Sequence, residues 1–222
     1  MKPSSSSAPP TDLTPRFSLP GSIKRDSRSG FTLIEILTVI AILGILIAIV
    51  TPIVSNSLER SRISKSIANL RQLHQGMSLY VQDSDGFFPE YWDYEDRIGW
   101  SEKIWPYIYP EQKFPGYGHV QEGTVFESPL IEDTPLARSY GMNRLLQEQQ
   151  PNRRYLLNCP TPKTALIMDT KETSAAKLST INFRNDGKLA VVFLDGHTDL
   201  LAKDEIATEE EDVFWSGSEQ SK

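Results

Sequence analysis

Side chains that could carry out chemistry are few and widely spaced in this chain of 222 residues. Its three histidines, His74, His119 and His197, are far apart, and Cys159 is its only cysteine. The sequence contains no glycine-rich phosphate loop, no nucleophile elbow and no metal-spaced cluster of histidine and cysteine. A single thiol also excludes an intramolecular disulfide. These observations predict a protein that is not an enzyme.

Three aspartates of the C-terminal half are the best candidates for a metal site. Asp169 follows one predicted strand, Asp195 lies in a predicted hairpin turn, and Asp199 lies in the strand that returns from that turn. If a sheet brought them to one edge, their carboxylates would suit Ca²⁺, which prefers oxygen ligands. Aspartate is also common in turns for conformational reasons alone, and that alternative is favoured. The expectation is therefore no cofactor, with calcium at these three residues as the lesser alternative.

One carboxylate lies where a carboxylate is costly. Glu35 is the only charged residue between Arg28 and Glu59, and 23 uncharged residues follow it, from Ile36 to Leu58. A helix of about 20 apolar residues crosses the core of a bilayer. Ionisable residues inside such a segment are expensive and usually functional. The sequence therefore predicts a membrane-spanning helix in which Glu35 has a function.

An ordinary signal peptide or signal anchor is the alternative explanation of this apolar run. A secretory apolar region has about 7–15 residues and ends at a small-residue cleavage site. The present run is longer, and no clear A-x-A site follows it. Neither kind of signal needs a carboxylate at Glu35, so a spanning helix with a dedicated carboxylate is the better prediction.

The hexapeptide Gly-Phe-Thr-Leu-Ile-Glu, which begins at Gly30, resembles the processing site of the type IV prepilin family. That family includes the type IV pilins and the pseudopilins of type II secretion. The resemblance implies that a prepilin peptidase cuts after Gly30 and methylates the new amino terminus at Phe31. Glu35 falls on the family's glutamate and Pro52 on a common helix proline, which implies that both act in assembly. The resemblance covers roughly residues 28–82 and is thinner beyond.

The same resemblance implies a location and a set of partners. The location is the bacterial inner membrane, crossed once, with a cytoplasmic N-terminus and a periplasmic domain that could reach a filament or the cell surface. The partners are the peptidase, other pilin or pseudopilin subunits through their N-terminal helices, an inner-membrane assembly platform and lipid. Charge alone does not orient the helix, because four Lys or Arg precede the run within about 15 residues and three follow it.

Composition divides the chain into four parts. Residues 1–30 are rich in serine and proline and predict a disordered basic leader, which the resemblance implies is removed. Residues 31–53 are the transmembrane half of the helix, and 54–202 form a soluble domain that includes its amphipathic half. Residues 203–222 predict a solvated acidic tail, whose pair Phe214–Trp215 is the one part that could fold back. After cleavage the side chains sum to −9, which argues against a nucleic-acid-binding surface.

Periodicity predicts an α+β fold, and the resemblance implies that it has the architecture of a type IV pilin. Apolar residues recur every three or four positions after residue 53, so one helix should run from about 31 to 82 and pack on a small antiparallel sheet with irregular loops. The aromatic segment 87–110 predicts a loop with a short helix, for which a subunit contact and core packing are equal alternatives. The clearest strands are 164–168, 188–194 and 197–201, the last two joined by an Asp-Gly turn.

A second resemblance lies in the sheet region. The stretch from Asn185 to Gly196 has the spacing of the H-x9-DG signature of a related prepilin-type group. Asn185 stands where that group has histidine, so a metal or catalytic role of the histidine does not carry over. A structural hairpin is the better interpretation.

The function favoured by these patterns is that of a structural subunit, a pseudopilin or pilin. It would polymerise into a type II secretion pseudopilus or a type IV pilus-like filament after cleavage and N-methylation. Two alternatives stay open. One is a membrane-tethered binding module that is exported by the prepilin route and never polymerises, and the other is a minor pilin in DNA uptake.

Overall fold

A computed structural model describes residues 31–117, 123–131, 139–146, 162–171, 175–209 and 212–217. The predicted leader with Gly30, and also His119 and Cys159, lie outside these ranges. The chain divides into two compact units, Met1–Ile49 and Val50–Lys222, and each is described by itself.

A single helix, α1, runs over Leu33–Asp83 and confirms the predicted continuous helix. Pro52 lies inside it without ending it. Residues 31–62 are all exposed, and the first buried residue of α1 is Ser66. By length and composition alone α1 could cross a membrane. Its apolar run thus forms the helix that the sequence predicts, and this run has no buried side chain.

The second half of α1 supplies one wall of the core in the second unit. Leu70, Leu73, Met77 and Val81 are buried, which places a stripe with steps of three and four on one side of the helix. The short predicted helix is α2, Trp100–Ile108, and it packs closely on α1. A Cβ added at Gly76 would lie 2.6 Å from Ile108 Cγ1, so this contact requires glycine.

A five-stranded sheet forms the other wall of the core. Its order is β3-β1-β2-β4-β5. All pairs are antiparallel except that of the two-residue β3 with β1, which is parallel. The strands are β1 Tyr140–Asn143, β2 Ala165–Asp169, β3 Ala175–Ala176, β4 Leu189–Phe193 and β5 Thr198–Leu201. The predicted strands are confirmed as β2, β4 and β5 to within one residue at each end, whereas β1 and β3 were not predicted.

The sheet has a core on each face. One apolar cluster joins β1, β2 and β4 to α1 and α2, and a second joins β2 and β4 to Ile206, Phe214 and Trp215. Every residue of β2 and β4 is therefore buried. Burial on both faces explains why these two strands read in the sequence as continuous apolar runs rather than as alternating patterns.

The C-terminal segment corrects a prediction. A short 3₁₀ turn at Lys203–Glu205 leads towards the helix α3, Val213–Ser216. Trp215 is 0% exposed, and its Nε1 donates a hydrogen bond of 2.7 Å to the carbonyl oxygen of Ala207. The solvated tail is thus wrong for the aromatic pair, which closes the second core. Phe214 and Trp215 follow an acidic run at residues 209–212. Two apolar residues are too few to show a helical or strand period in the sequence.

Core packing accounts for two tryptophans of the aromatic segment. Trp100 and Trp105 are 1% and 3% exposed, and both belong to the cluster beneath α1. Trp105 stacks on Phe126 with ring centroids 5.4 Å apart. Tyr94, in contrast, is 72% exposed. A subunit contact therefore remains an alternative only for exposed aromatic residues of this segment.

The buried position of Trp215 yields a stability prediction. Trp215→Ala should destabilise the domain by about 3–5 kcal/mol, because it removes a fully buried indole and leaves a cavity. Tyr94→Ala, which truncates an exposed aromatic residue, should change stability by less than about 0.5 kcal/mol. The measurement is denaturant unfolding of the full chain in detergent, and equal effects of the two substitutions would contradict the packed C-terminus.

Candidate functional site

The N-terminal end of α1 is closed by a reciprocal pair of hydrogen bonds. The backbone N–H and the hydroxyl of Thr32 both donate to Glu35 Oε2, each at 2.7 Å. In return, the Glu35 N–H donates to Thr32 Oγ1 at 3.4 Å. This is a capping box, in which Thr32 is the N-cap and Glu35 the third helical residue. It leaves Phe31 and Thr32 outside the helix.

Thr32 is a residue that the sequence interpretation missed. Its signal is present, because a threonine followed three residues later by glutamate just before an apolar run predicts a helix N-terminus. The arrangement gives Glu35 two donors from its own chain and fixes its carboxylate within one turn of Phe31. Among the described residues, these are the donors that the carboxylate of Glu35 receives.

The first half of α1 presents apolar side chains all around the helix. Seventeen large apolar residues between Phe31 and Leu58 are at least 47% exposed. Exposed apolar patches of this extent mark a surface that contacts protein or membrane. Pro52, the other predicted assembly residue, lies among them. Together with the capped terminus, this surface is the candidate functional site.

Directional hydrogen bonds join the second half of α1 to the domain. Asn69 Nδ2 donates to the carbonyl oxygen of Glu127 at 2.8 Å, and Ser66 Oγ lies 3.0 Å from Tyr140 Oη. Three further contacts reach the β4–β5 hairpin. Arg71 Nε donates to Thr198 Oγ1 (3.2 Å), His74 Nε2 is 3.1 Å from the Leu194 carbonyl oxygen, and a Cβ at Gly196 would be 2.7 Å from the His74 ring. His74 thus has a structural role.

The H-x9-DG stretch forms a buried polar cluster around Asp169. Arg184 Nη1 lies 3.5 Å from Asp169 Oδ1, and Asn185 Nδ2 donates to Asp169 Oδ2. Arg184 also donates to the carbonyl oxygens of Ser139 (3.1 Å) and Thr170 (2.7 Å). Both carboxylate oxygens therefore already accept from protein donors, so Asn185 at the histidine position acts as a donor within the fold.

The predicted structural hairpin is confirmed next to this cluster. Asn185 and Lys188 exchange two backbone hydrogen bonds of 3.0 and 3.2 Å across the turn. Asp186 and Gly187 between them have φ angles of 53° and 73°. Two successive positive φ angles are typical of a type I′ turn, which matches the twist of a hairpin.

The convergence of Asp169, Asp195 and Asp199, which the sequence offered as the lesser alternative, does not occur in the structure. Thr164 accepts a hydrogen bond from the Leu194 N–H, so the turn with Asp195 lies beside the start of β2, whereas Asp169 ends that strand about 13 Å away. Asp199 is exposed on β5, which is separated from β2 by β4. Within the described ranges, no group of three His, Cys, Asp or Glu residues could hold a metal.

Comparison with known proteins points to the N-terminal part of the chain. The family described as "Prokaryotic N-terminal methylation motif" matches residues 25–51. The chain is similar to a type II secretion system core protein G of Pseudomonas aeruginosa, with 34% identity over 62 residues, 28% of this chain and 44% of that protein. It is also similar to the type IV major pilin protein PilA of Myxococcus xanthus, with 36% identity over 72 residues, 32% of this chain and 31% of that protein.

A third relative is the type IV major fimbrial protein FimA of Dichelobacter nodosus, with 39% identity over 56 residues, 25% of this chain and 36% of that protein. In each case the match spans less than half the length of the relative. No solved structure matches the chain. The expected resemblance to prepilin-like proteins is confirmed, and the α+β architecture of a long helix on a mainly antiparallel sheet agrees with the type IV pilin fold.

The environment of Asp169 yields a prediction of pH dependence. Burial raises the pKa of Asp169 to about 7, although Arg184 and Asn185 oppose the shift. The folded state then retains a proton that the unfolded state loses near pH 4, so the contribution of Asp169 to stability is greatest at low pH and falls as pH rises from about 4 to 7. Asp169→Asn should remove up to about 4 kcal/mol of this fall.

The measurement is the melting temperature of the full chain in detergent between pH 4.5 and 8, for wild type and Asp169→Asn. Asp199→Asn, which changes an exposed aspartate of β5, is the matched control. Parallel profiles for wild type and Asp169→Asn would show that Asp169 is ionised throughout this range.

Proposed function

We propose that this protein is a structural subunit that polymerises into a type II secretion pseudopilus or a type IV pilus-like filament. The observation that carries the proposal is the helix whose N-terminus is capped by Thr32 and Glu35 and which continues as an exposed uncharged surface. A core protein of type II secretion and a type IV major pilin are similar to part of the chain, and the methylation motif matches residues 25–51. Among the described residues of the domain behind the helix, no group of three His, Cys, Asp or Glu could hold a metal.

Processing is the first step of the proposed mechanism. The methylation motif matches residues 25–51, which include Gly30 and Phe31. A prepilin peptidase would cut the bond between them on the cytoplasmic side of the inner membrane and methylate the amine of Phe31. The cut removes the basic leader and creates an α-amino group, which is a cation at neutral pH.

Pairing of charges is the second step. In lipid, the Phe31 ammonium and the Glu35 carboxylate are each costly alone and complementary together. The cap directs Thr32 to Glu35 Oε2, so one carboxylate oxygen is engaged within the chain and the other can accept from the ammonium of a neighbouring subunit. Such a pair would set the axial register between subunits. An inner-membrane platform would lift each subunit, and the apolar helices would pack in the filament core.

The processing site is tested by Gly30→Ala. We expect the precursor to remain uncut in cells that contain a prepilin peptidase, because a Cβ at the residue before the scissile bond obstructs the peptidase. Ser29→Ala, one residue further from the bond, should be cut normally. Mass spectrometry of the N-terminal peptide reads the outcome, and a normally shortened Gly30→Ala product would refute the cleavage assignment.

The charge-pairing role is tested by Glu35→Gln, which retains a cap acceptor and removes the charge. We expect normal cleavage and a more than tenfold loss of filaments, counted by electron microscopy. Glu59→Gln removes the next carboxylate of α1, beyond the apolar run, and should leave filament number unchanged. If wild-type helices fail to crosslink to one another in the membrane, the chain is a tethered module that does not polymerise.

A further inference from the structure

The cations that follow the apolar run of α1 form a distinct feature that the proposed function does not use. Arg60, Arg62 and Lys65, together the basic belt, lie within seven residues of Leu58, the last residue of the run. At 1.5 Å per residue, the belt ends about 10 Å beyond that residue. All three residues are exposed.

The belt is not neutralised within the described part of the chain. The ion pairs found there involve other residues, and no carboxylate of a described residue lies within 4.0 Å of a belt cation. Glu59 is the only acid between Glu35 and Asp83. The belt therefore carries net positive charge on an exposed stretch of helix.

Three hydroxyl groups around the belt are already engaged within α1. Ser55 donates to the carbonyl oxygen of Thr51 at 3.1 Å, Ser57 to that of Ile53 at 2.8 Å, and Ser64 to that of Arg60 at 2.9 Å. Each of these bonds stays within one turn of α1. The belt cations are therefore the side chains in this stretch that offer charged donors to an external partner.

The charge of the domain contrasts with that of the belt. Residues 76–222 contain 25 Asp and Glu against 14 Lys and Arg, a net formal charge of −11. An anionic membrane surface would repel such a domain. Cations at the point where the helix leaves the bilayer would offset that repulsion where the two surfaces come closest.

We propose that the basic belt binds the phosphate groups of anionic phospholipids in the bilayer that α1 crosses. The proposal rests on the membrane anchoring contained in the proposed function. The apolar run fills the hydrocarbon core, which is about 30 Å thick, and the headgroup region extends several ångströms beyond it. The belt lies at that depth, whereas the burial of α1 in its own domain begins only at Ser66. Arginine and lysine near a membrane surface attract anionic lipid.

The acidic surface of a second copy is the competing partner for the belt. Position favours lipid, because headgroups surround the belt in every inserted subunit, whether or not that subunit has assembled. The bound lipid would also hold the helix at a fixed depth until the subunit is extracted into a filament.

The test uses the full chain in nanodiscs made of equal parts phosphatidylcholine and phosphatidylglycerol. Native mass spectrometry of the released protein compares the two lipids that remain bound. We expect phosphatidylglycerol to be enriched roughly fivefold or more in wild type and not at all in the triple variant Arg60→Gln, Arg62→Gln, Lys65→Gln. A control that removes three exposed lysines from the domain should retain the enrichment: Lys113→Gln, Lys188→Gln, Lys203→Gln.

Three results would overturn the proposal. Equal retention of both lipids by wild type would exclude headgroup selectivity, and an unchanged enrichment in the triple variant would place it elsewhere. If the triple variant loses crosslinked dimers in pure phosphatidylcholine and wild type shows no lipid enrichment in the mixed discs, the belt binds a second copy of the chain instead. Alkaline carbonate extraction distinguishes failure of the lipid proposal from failure of the proposed function. A wild-type chain that carbonate extracts from membranes is not anchored, and the proposed function then fails as well.

Discussion

The structure depends on one constraint, which is that the first half of α1 cannot remain in water. Seventeen large apolar side chains are exposed there. Taking about 1.5 kcal/mol for burying each one, their transfer from water is worth on the order of 20 kcal/mol. A whole domain is typically stable by only about 5–15 kcal/mol. The free energy of transferring this helix from water to lipid, or into contact with other helices, is therefore larger than that of any single contact within the domain.

The same constraint explains the hydrogen bonds that cap the N-terminus of α1. A helix start leaves unsatisfied N–H groups, which are costly where water is scarce. The capping box satisfies the N–H of Thr32 and brings the Glu35 carboxylate against the positive end of the helix dipole. The carboxylate is thus partly compensated before any partner arrives. Thr32 and Glu35 are best regarded as one unit, and a substitution at either residue perturbs both.

The features that the sequence could reveal are those with a long or dense pattern. The 51 residues of α1 give many repeats of the helical period, and β2 and β4 are uninterrupted apolar runs between turn residues. β1 contains only four residues, two of them Gly141 and Asn143, so no period is visible there. The pair Phe214–Trp215 is hidden by its acidic neighbours and is recognisable only from the core that it closes.

The candidate functional residues also differ in how well the sequence reveals them. Glu35 is conspicuous because a charge in an apolar run needs a reason, and local spacing is enough to detect it. The grouping of Asp169 with Asp195 and Asp199 failed because it depended on strand direction. In an antiparallel pair, the end of one strand lies beside the start of the next, so Asp169 and the Asp195 turn lie at opposite ends of β2. Arg184 and Asn185 reach Asp169 through a chain reversal that the sequence does not encode by spacing.

The hydrogen bonds between α1 and the domain then acquire a mechanical meaning. Apolar packing holds the helix in place through steric fit rather than through directional bonds. Hydrogen bonds from Asn69, Arg71 and His74 are directional, and a shift of one residue along the axis would break all of them. If α1 is extracted from a membrane during the proposed assembly, it must carry its domain with it. These bonds lie immediately beyond the basic belt, where the load on the helix would pass into the sheet.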